Sequence, residues 1–208
     1  MFNIQTLVVG QLQTNCYLVS DRLSNETLII DPGDDASYIS DVILRDKLIP
    51  TAILATHGHF DHILGAFELQ HSFSIPFYVH PSDMFLLQRM RKTAEHYLRI
   101  PIVEPPPIPD PTMQKSTRVM VGSSCFDSID APGHTPGGVS FYCKKEGVCF
   151  VGDTVFAHGA VGDWRHDYSD KALLLQSVKK ILSLPEKTML YPGHGDRTTI
   201  EEVNQSII

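Results

Sequence analysis

The segment Thr56-His57-Gly58-His59-Phe60-Asp61-His62 places three histidines and an aspartate within seven residues. Before it lies Thr51-Ala-Ile-Leu-Ala55, a short apolar run of the kind that forms a buried strand. After it, Ile63, Leu64, Ala66, Phe67 and Leu69 recur at near-helical spacing, which predicts a helix starting around His62. A chain with this order must fold so that a strand-to-helix loop carries the polar cluster. That loop lies at the carboxyl end of a strand, where ligand pockets of α/β folds open. In extended backbone His57 and His59 point to one side, because residues two apart share a face. The turn into the helix sends Asp61 and His62 toward a second point nearby.

Two more histidines arrive in nearly identical wrapping, Pro132-Gly133-His134 and Pro192-Gly193-His194, and Gly152-Asp153-Thr154 closes the apolar run Val148-Cys-Phe-Val151. Imidazole nitrogen and carboxylate oxygen form the usual zinc ligand set and also suit iron and manganese. The seven groups His57, His59, Asp61, His62, His134, Asp153 and His194 exceed what one four-coordinate ion takes. The count implies two adjacent metals sharing a carboxylate, and hence a hydrolase. A lone histidine is normally a surface or satisfied core residue, and His71, His80 and His96 are read that way.

The order His-x-His-x-Asp-His, then His, Asp and His, resembles the metallo-β-lactamase superfamily. Within it the chain is most similar to the glyoxalase II-type hydrolases (hydroxyacylglutathione hydrolases). The similarity runs from Asn15-Cys-Tyr-Leu through Asp31-Pro-Gly33 to Pro192-Gly-His-Gly-Asp-Arg-Thr-Thr199. The resemblance implies an α/β fold, a four-layer αβ/βα sandwich with the metal site at one edge between two sheets. It implies one metal on His57, His59 and His134, another on Asp61, His62 and His194, and Asp153 bridging them together with a water or hydroxide. Asp61 and Asp153 are thereby the catalytic carboxylates, and Asp31 supports the metal loop from behind. The implied cofactor is a pair of zinc ions, with iron or manganese as alternatives. β-Lactamases of the main zinc subclass typically carry cysteine where this chain has Asp153, so antibiotic hydrolysis is not expected.

The implied reaction is hydrolysis of a thioester of the hydroxyacylglutathione type or a related small acyl compound. A thiol leaves readily, its pKa being about 8.5, whereas an alkoxide needs a proton donor. His158, Arg165 and Tyr168, in the loop after Asp153, are the candidate substrate contacts. Arg165 stands near a place where relatives carry Gly-Arg. The alternatives are sulfur oxidation of the persulfide dioxygenase type, with one iron on the equivalents of His57, His134 and Asp153, and a phosphodiesterase or nuclease. The chain ends 14 residues past His194, so the helical C-terminal domain of glyoxalase II is not expected.

With 208 residues, 42% of them hydrophobic, residues 1–208 are expected to form one domain. No apolar run spans a bilayer, and the start lacks a signal peptide's basic and apolar regions. Cys16, Cys125, Cys143 and Cys149 form no Cys-x-x-Cys pair and read as buried thiols, pointing to the cytoplasm. A net charge of −7 argues against nucleic acid as a partner. The densest basic group, Arg89, Arg91 and Lys92, reads as the solvated face of an amphipathic helix. Strands are expected near 3–9, 15–20, 27–31, 51–55, 77–79, 117–121, 125–130, 139–143, 147–151 and 188–191. Helices are expected near 35–46, 63–72, 82–98, 169–183 and 199–205. The proline-rich stretch Pro101 to Pro111 reads as a loop.

Overall fold

In strand β2 (Thr14–Asp21), Cys16 and Leu18 face one way and Tyr17 and Val19 the other, and all four are buried. A strand buried on both sides must lie inside a layered structure. The same alternation recurs in β3 (Glu26–Ile30) and β4 (Ile49–Leu54). With β1 (Phe2–Val9) and β5 (Phe77–Tyr78) they form a five-stranded sheet in the order β1-β2-β3-β4-β5. This computed structural model describes residues 2–111 and 118–206.

One face of that sheet takes Ile39, Val42 and Ile43 of α1 (Ala36–Arg45). It also takes the apolar sides of α2 (Phe60–Ile63), α3 (Ala66–Phe73) and α4 (Met84–Leu98). The other face packs on a second sheet of six strands, ordered β11-β10-β9-β8-β7-β6. Its members are β6 (Arg118–Val121), β7 (Ser124–Asp130), β8 (Val139–Cys143), β9 (Val148–Gly152), β10 (Met189–Pro192) and β11 (Thr198–Thr199). Phe126, Phe141 and Phe150 fill the space between the sheets and are fully buried. Each such ring contributes about 2–3 kcal/mol by leaving water. The far face of the second sheet is covered by α5 (Lys171–Leu182) and α6 (Ile200–Ser206). The layers therefore run helix, sheet, sheet, helix, which is the expected αβ/βα sandwich.

Strand direction gathers the polar loops. In the first sheet β3 and β4 are parallel. In the second, β9 and β10 are parallel, and β7 runs with them because β8 is antiparallel to both β7 and β9. Asp31, residues 55–62, His134, Asp153 and His194 all follow the carboxyl ends of these strands. The two rims are stitched together where the Asn15 amide donates to the Gly193 carbonyl (2.7 Å) and the Val139 amide to that of Thr56 (2.8 Å).

The differences from expectation are local. The helix expected near 63–72 is split: α2 begins at Phe60 and stops at Ile63, and α3 starts at Ala66. The break arises because the Gly65 amide donates to the Pro32 carbonyl (3.0 Å). A Cβ at residue 65 would stand 3.1 Å from that same oxygen. β11, two residues long, is too short for periodicity to reveal. The strand expected at 117–121 is seen from Arg118, Thr117 lying outside the described residues. The proline-rich stretch is loop, but Pro109 forms an isolated parallel bridge with Phe77. Among the described residues all four cysteines are free; three are buried, and Cys125, at the surface of β7, is only half-buried. Among the described residues no helix is long and apolar enough to cross a membrane.

Candidate metal centre

The chain leaves β4 at Leu54 and bends at Thr56 and His57; His59 (φ −66°, ψ 145°) is extended at the N-cap position of α2, and Asp61 and His62 occupy its first turn. The bend at His57 and the turn into α2 split the four side chains between two points. His57 Nε2 and His134 Nε2 lie 3.1 and 3.0 Å from His59 Nδ1. Tetrahedral zinc with Zn–N near 2.0–2.1 Å requires nitrogens roughly 3.3 Å apart, so this triad fits a metal ion. At the second point, Asp61 Oδ2 lies 3.4 Å from His194 Nε2 and 3.7 Å from His62 Nε2. Asp153 stands between them. Its Oδ2 is 3.7 Å from both His134 Nε2 and His194 Nε2, and its Oδ1 is 3.6 Å from His62 Nε2.

The hydrogen bonds behind the rings assign the protons. His62 Nδ1 lies 3.0 Å from Asp31 Oδ2. A carboxylate only accepts, so Nδ1 carries the proton and Nε2 turns its lone pair to the cluster. The Thr56 hydroxyl donates to the same Asp31 oxygen (2.7 Å), which leaves it to accept from His57 Nδ1 (3.1 Å). His134 Nδ1 donates to the Asp163 carbonyl (2.7 Å) and His194 Nδ1 to that of Gln13 (3.3 Å). His59 is reversed: its Nε2 meets the Tyr168 hydroxyl (2.8 Å), and its Nδ1 faces the cluster. Thus all five imidazoles are pinned at one nitrogen and free at the other, the arrangement by which proteins orient metal-bound histidine. Two buried atoms in the centre, His62 Nε2 and Asp153 Oδ1, have no hydrogen-bond partner. Orphans of this kind are costly unless something binds them.

Electrostatics point the same way. Burial pushes His57 and His59 far below the ordinary imidazole range, and their histidine neighbours push in the same direction. Burial alone would also lower His62, but Asp153, Asp61 and Asp31 outweigh it and push that ring up to about 10. Burial would raise Asp61, yet His62, His194 and His59 hold its carboxyl well below the usual range. One half of the centre keeps neutral donors, and in the other half the carboxylates that raise His62 supply negative charge that a divalent ion would offset in place of that ring's second proton.

A family model described as Metallo-beta-lactamase superfamily matches residues 9–194. The chain belongs to the metallo-β-lactamase superfamily. An uncharacterized protein of Aquifex aeolicus (strain VF5) is 36% identical over 95% of this chain and 92% of its own length. YqgX of Bacillus subtilis (strain 168), named a probable metallo-hydrolase, is 34% identical over 92% and 90%. Hydroxyacylglutathione hydrolase GloC of Haemophilus influenzae is 30% identical over 98% and 96%. Among solved structures, BLEG-1 B3 metallo-beta-lactamase superposes with TM-score 0.87 at 35% identity, covering 96% of this chain and 95% of that one. TTHA1623 in a di-iron-bound form gives 0.87 at 33%, covering 97% and 98%. This chain carries a His/Asp centre with two metal positions, as expected of a metallohydrolase of the superfamily.

Several supports of this superfamily site were not legible as functional residues. Asp83 is fully buried and accepts from the Gly58 amide (2.9 Å), the Thr135 hydroxyl (2.7 Å) and the Gly137 amide (2.6 Å). It thereby ties the His57–His59 loop to the His134 loop. Asn15 donates its side-chain amide to the carbonyls of Pro192 (3.0 Å) and Gly195 (2.8 Å), holding the His194 loop. Asp83 precedes a helix like any cap, and only the pairing of distant loops reveals its role.

A cavity of about 420 Å³ opens beside the ligands, lined by His59, Asp61, Phe60, Leu86, Met90 and Tyr97, among others. Tyr168 also lines it, as does His166, whose ring stacks on Tyr168 at 5.1 Å. Burial pushes the Tyr168 phenol up to about 12. The other two candidate substrate contacts lie elsewhere. Arg165 is exposed and folds back in a two-pronged pair with Asp163 (2.8 Å each), because the Asp163 carboxylate is its nearest anion. His158, in left-handed backbone (φ 60°), is carried to a separate cavity with Asp196, Arg197 and Glu202. Arg89, read as part of a solvated helix face, is exposed and also lines the cavity beside the ligands, where the loop carrying Tyr168 meets Phe85 of the same helix.

Proposed function

We propose that the protein is a dinuclear metallohydrolase of thioesters, of the hydroxyacylglutathione type or related small acyl compounds. The observation that carries this reading is the convergence of two three-ligand sets on Asp153 at the wall of one cavity. His57, His59 and His134 would hold one ion, and Asp61, His62 and His194 the other. When bound, such ions lower the pKa of a water to about 7 and polarise a carbonyl. Zinc suits these donors, and iron is the comparator because a relative is known in a di-iron form.

The chain's own residues orient the five rings, and the apolar wall of Phe60, Leu86 and Met90 excludes bulk water from the acyl group. In hydrolysis the acyl carbon gains a C–O bond, the C–S bond breaks, and the departing sulfur takes a proton from solvent. The complete set on Asp61, His62 and His194 favours this reading over a single-iron dioxygenase. We also propose that no nucleic acid or membrane is a partner, consistent with the acidic balance.

The test is thiol release from S-D-lactoylglutathione by protein loaded in turn with zinc, iron and manganese. Turnover well above that of the Asp153→Ala variant supports the reading, and none with any metal sinks it. A second reading, β-lactam hydrolysis, is favoured by one observation, the 35% identity to a protein named as a B3 metallo-beta-lactamase. Hydrolysis of a chromogenic cephalosporin by the same preparations decides it.

A further inference from the structure

The cavity face of α4 is formed by Leu86, Arg89, Met90, Thr93 and Tyr97. From Leu86 to Tyr97 is eleven steps along the helix, so they make a wall about 16 Å long at about 1.5 Å rise per residue. Arg89 is its one cationic side chain. Its guanidinium sits 5.6 Å over the Phe85 ring, Phe85 meets Tyr168 at 5.3 Å, and Tyr168 bonds His59. Two aromatic rings thus separate the cation from the nearest ligand, while both border the same volume. Among the described residues no carboxylate pairs with Arg89. Asp163, the wall's other acid besides the ligand Asp61, is occupied by Arg165. The cavity therefore has ligands on one side, an apolar middle of Leu86, Met90 and Tyr97, and an unpaired planar cation held by an aromatic ring. A guanidinium matches a carboxylate with two parallel hydrogen bonds.

We propose that Arg89 is a specificity-determining residue that binds a carboxylate on the substrate, joined by a short apolar stem to the reacting thioester. The proposal rests on the thioester hydrolase reading and names its substrate class: acyl thioesters with a distal carboxylate.

The test uses the full-length, metal-loaded protein and ω-mercapto carboxylic acids of three to eight carbons, each paired with its neutral amide. The thiol occupies the metal side in both, so the pair differs only at the far end. Calorimetry should show the acid binding at least tenfold tighter than the amide at the best chain length. That ratio should fall below about twofold in Arg89→Ala, as expected for loss of a hydrogen bond to a charged group, and be partly kept in Arg89→Lys. Lys92→Ala, which removes the same charge from the outer face of α4, should leave it unchanged. Equal binding of acid and amide by the wild type, or a preference that survives Arg89→Ala, overturns the proposal. Matching thioesters, with the charge on either half, should show the same ratio in kcat/KM, expressed mainly in KM. An Arg89-dependent preference without any turnover leaves the anchor standing and removes the hydrolase reading. Turnover without preference does the reverse.

Discussion

Replacing Asp83 by alanine removes one carboxylate that touches no ligand atom, yet it should cost the protein its first metal position before its second. Asp83 is the shared acceptor of two backbone amides and one hydroxyl, all at 2.6–2.9 Å, in a site with no solvent exposure. Burial raises its carboxyl above the ordinary value, so the three donors already work against a desolvation cost. Each donor left unpaired costs about 1–3 kcal/mol, and water entering the hole offsets part of the sum. The expected loss is about 2–4 kcal/mol, a large share of the roughly 5–15 kcal/mol that holds a domain together. Asp83→Asn should lose about half as much, because the amide oxygen keeps two donors while its NH₂ group faces the third. Thr135→Val should lose about 1 kcal/mol. The tied loops carry His57, His59 and His134, so affinity at that position should fall 10- to 100-fold, the usual effect of removing a group behind the ligands. Urea unfolding of the metal-stripped protein reads the first quantity. Chelator competition with metal analysis reads the second, with one ion leaving early. An Asp83→Ala protein within about 0.5 kcal/mol of wild type that retains both ions equally well would refute the reasoning.

Asp153→Ala should hold one ion per chain or fewer and lose hydrolysis; full activity would displace Asp153 from its place between the two sets. Gly193→Ala puts a Cβ 2.2 Å from Asp153 Oδ1 and 2.5 Å from His62 Cε1, so kcat/KM should drop at least about 100-fold with the circular dichroism spectrum intact. Tyr168→Phe removes the partner of His59 Nε2, and metal affinity should fall about tenfold by chelator titration. Alkylation followed by peptide mass mapping should mark Cys125 first. Cys16 and Cys149 are fully buried, with thiols pushed far up by that burial, and should react only on unfolding.

The layered fold was legible because β2, β3, β4 and β9 each carry an uninterrupted apolar run of three or more residues that is buried, which only a doubly covered strand tolerates. The clustered positions were legible for a related reason, since His57, Asp153 and His194 follow strand runs and all seven groups except Asp61 and His62 stand beside a glycine. What periodicity misses is contact between segments far apart in sequence. Asp83 meets Gly58 across 25 residues and Gly137 across 54, and Asn15 meets Gly195 across 180. No local pattern distinguishes these two from ordinary cap or strand-end residues. Arg89 is exposed, as its place on a polar helix face implies, but its place at the cavity was hidden for the same reason. Helical spacing shows which α4 side chains are polar, but not that a loop leading into α5 lies beside Phe85 and closes a cavity there.

That loop has its own local cause. Asp170 caps α5 by accepting from the Leu173 amide (3.0 Å), and its own amide donates to the Gly133 carbonyl (2.8 Å). The Ser169 hydroxyl donates to the His134 carbonyl (2.7 Å). Three consecutive residues, Tyr168 to Asp170, therefore bind the start of α5 to the His134 loop and to His59. The residue that orients a ligand ring and the cavity wall facing Arg89 are thus one structure. Loops that recognise substrate usually vary freely on a rigid scaffold. Here the three residues before α5 are fixed by the His59 and His134 loops, and Asp163 is fixed as well because its carbonyl accepts from His134 Nδ1. Arg89, on a helix packed against α2, lies outside both constraints, so a single substitution there should change substrate charge preference while the ligand set stays intact.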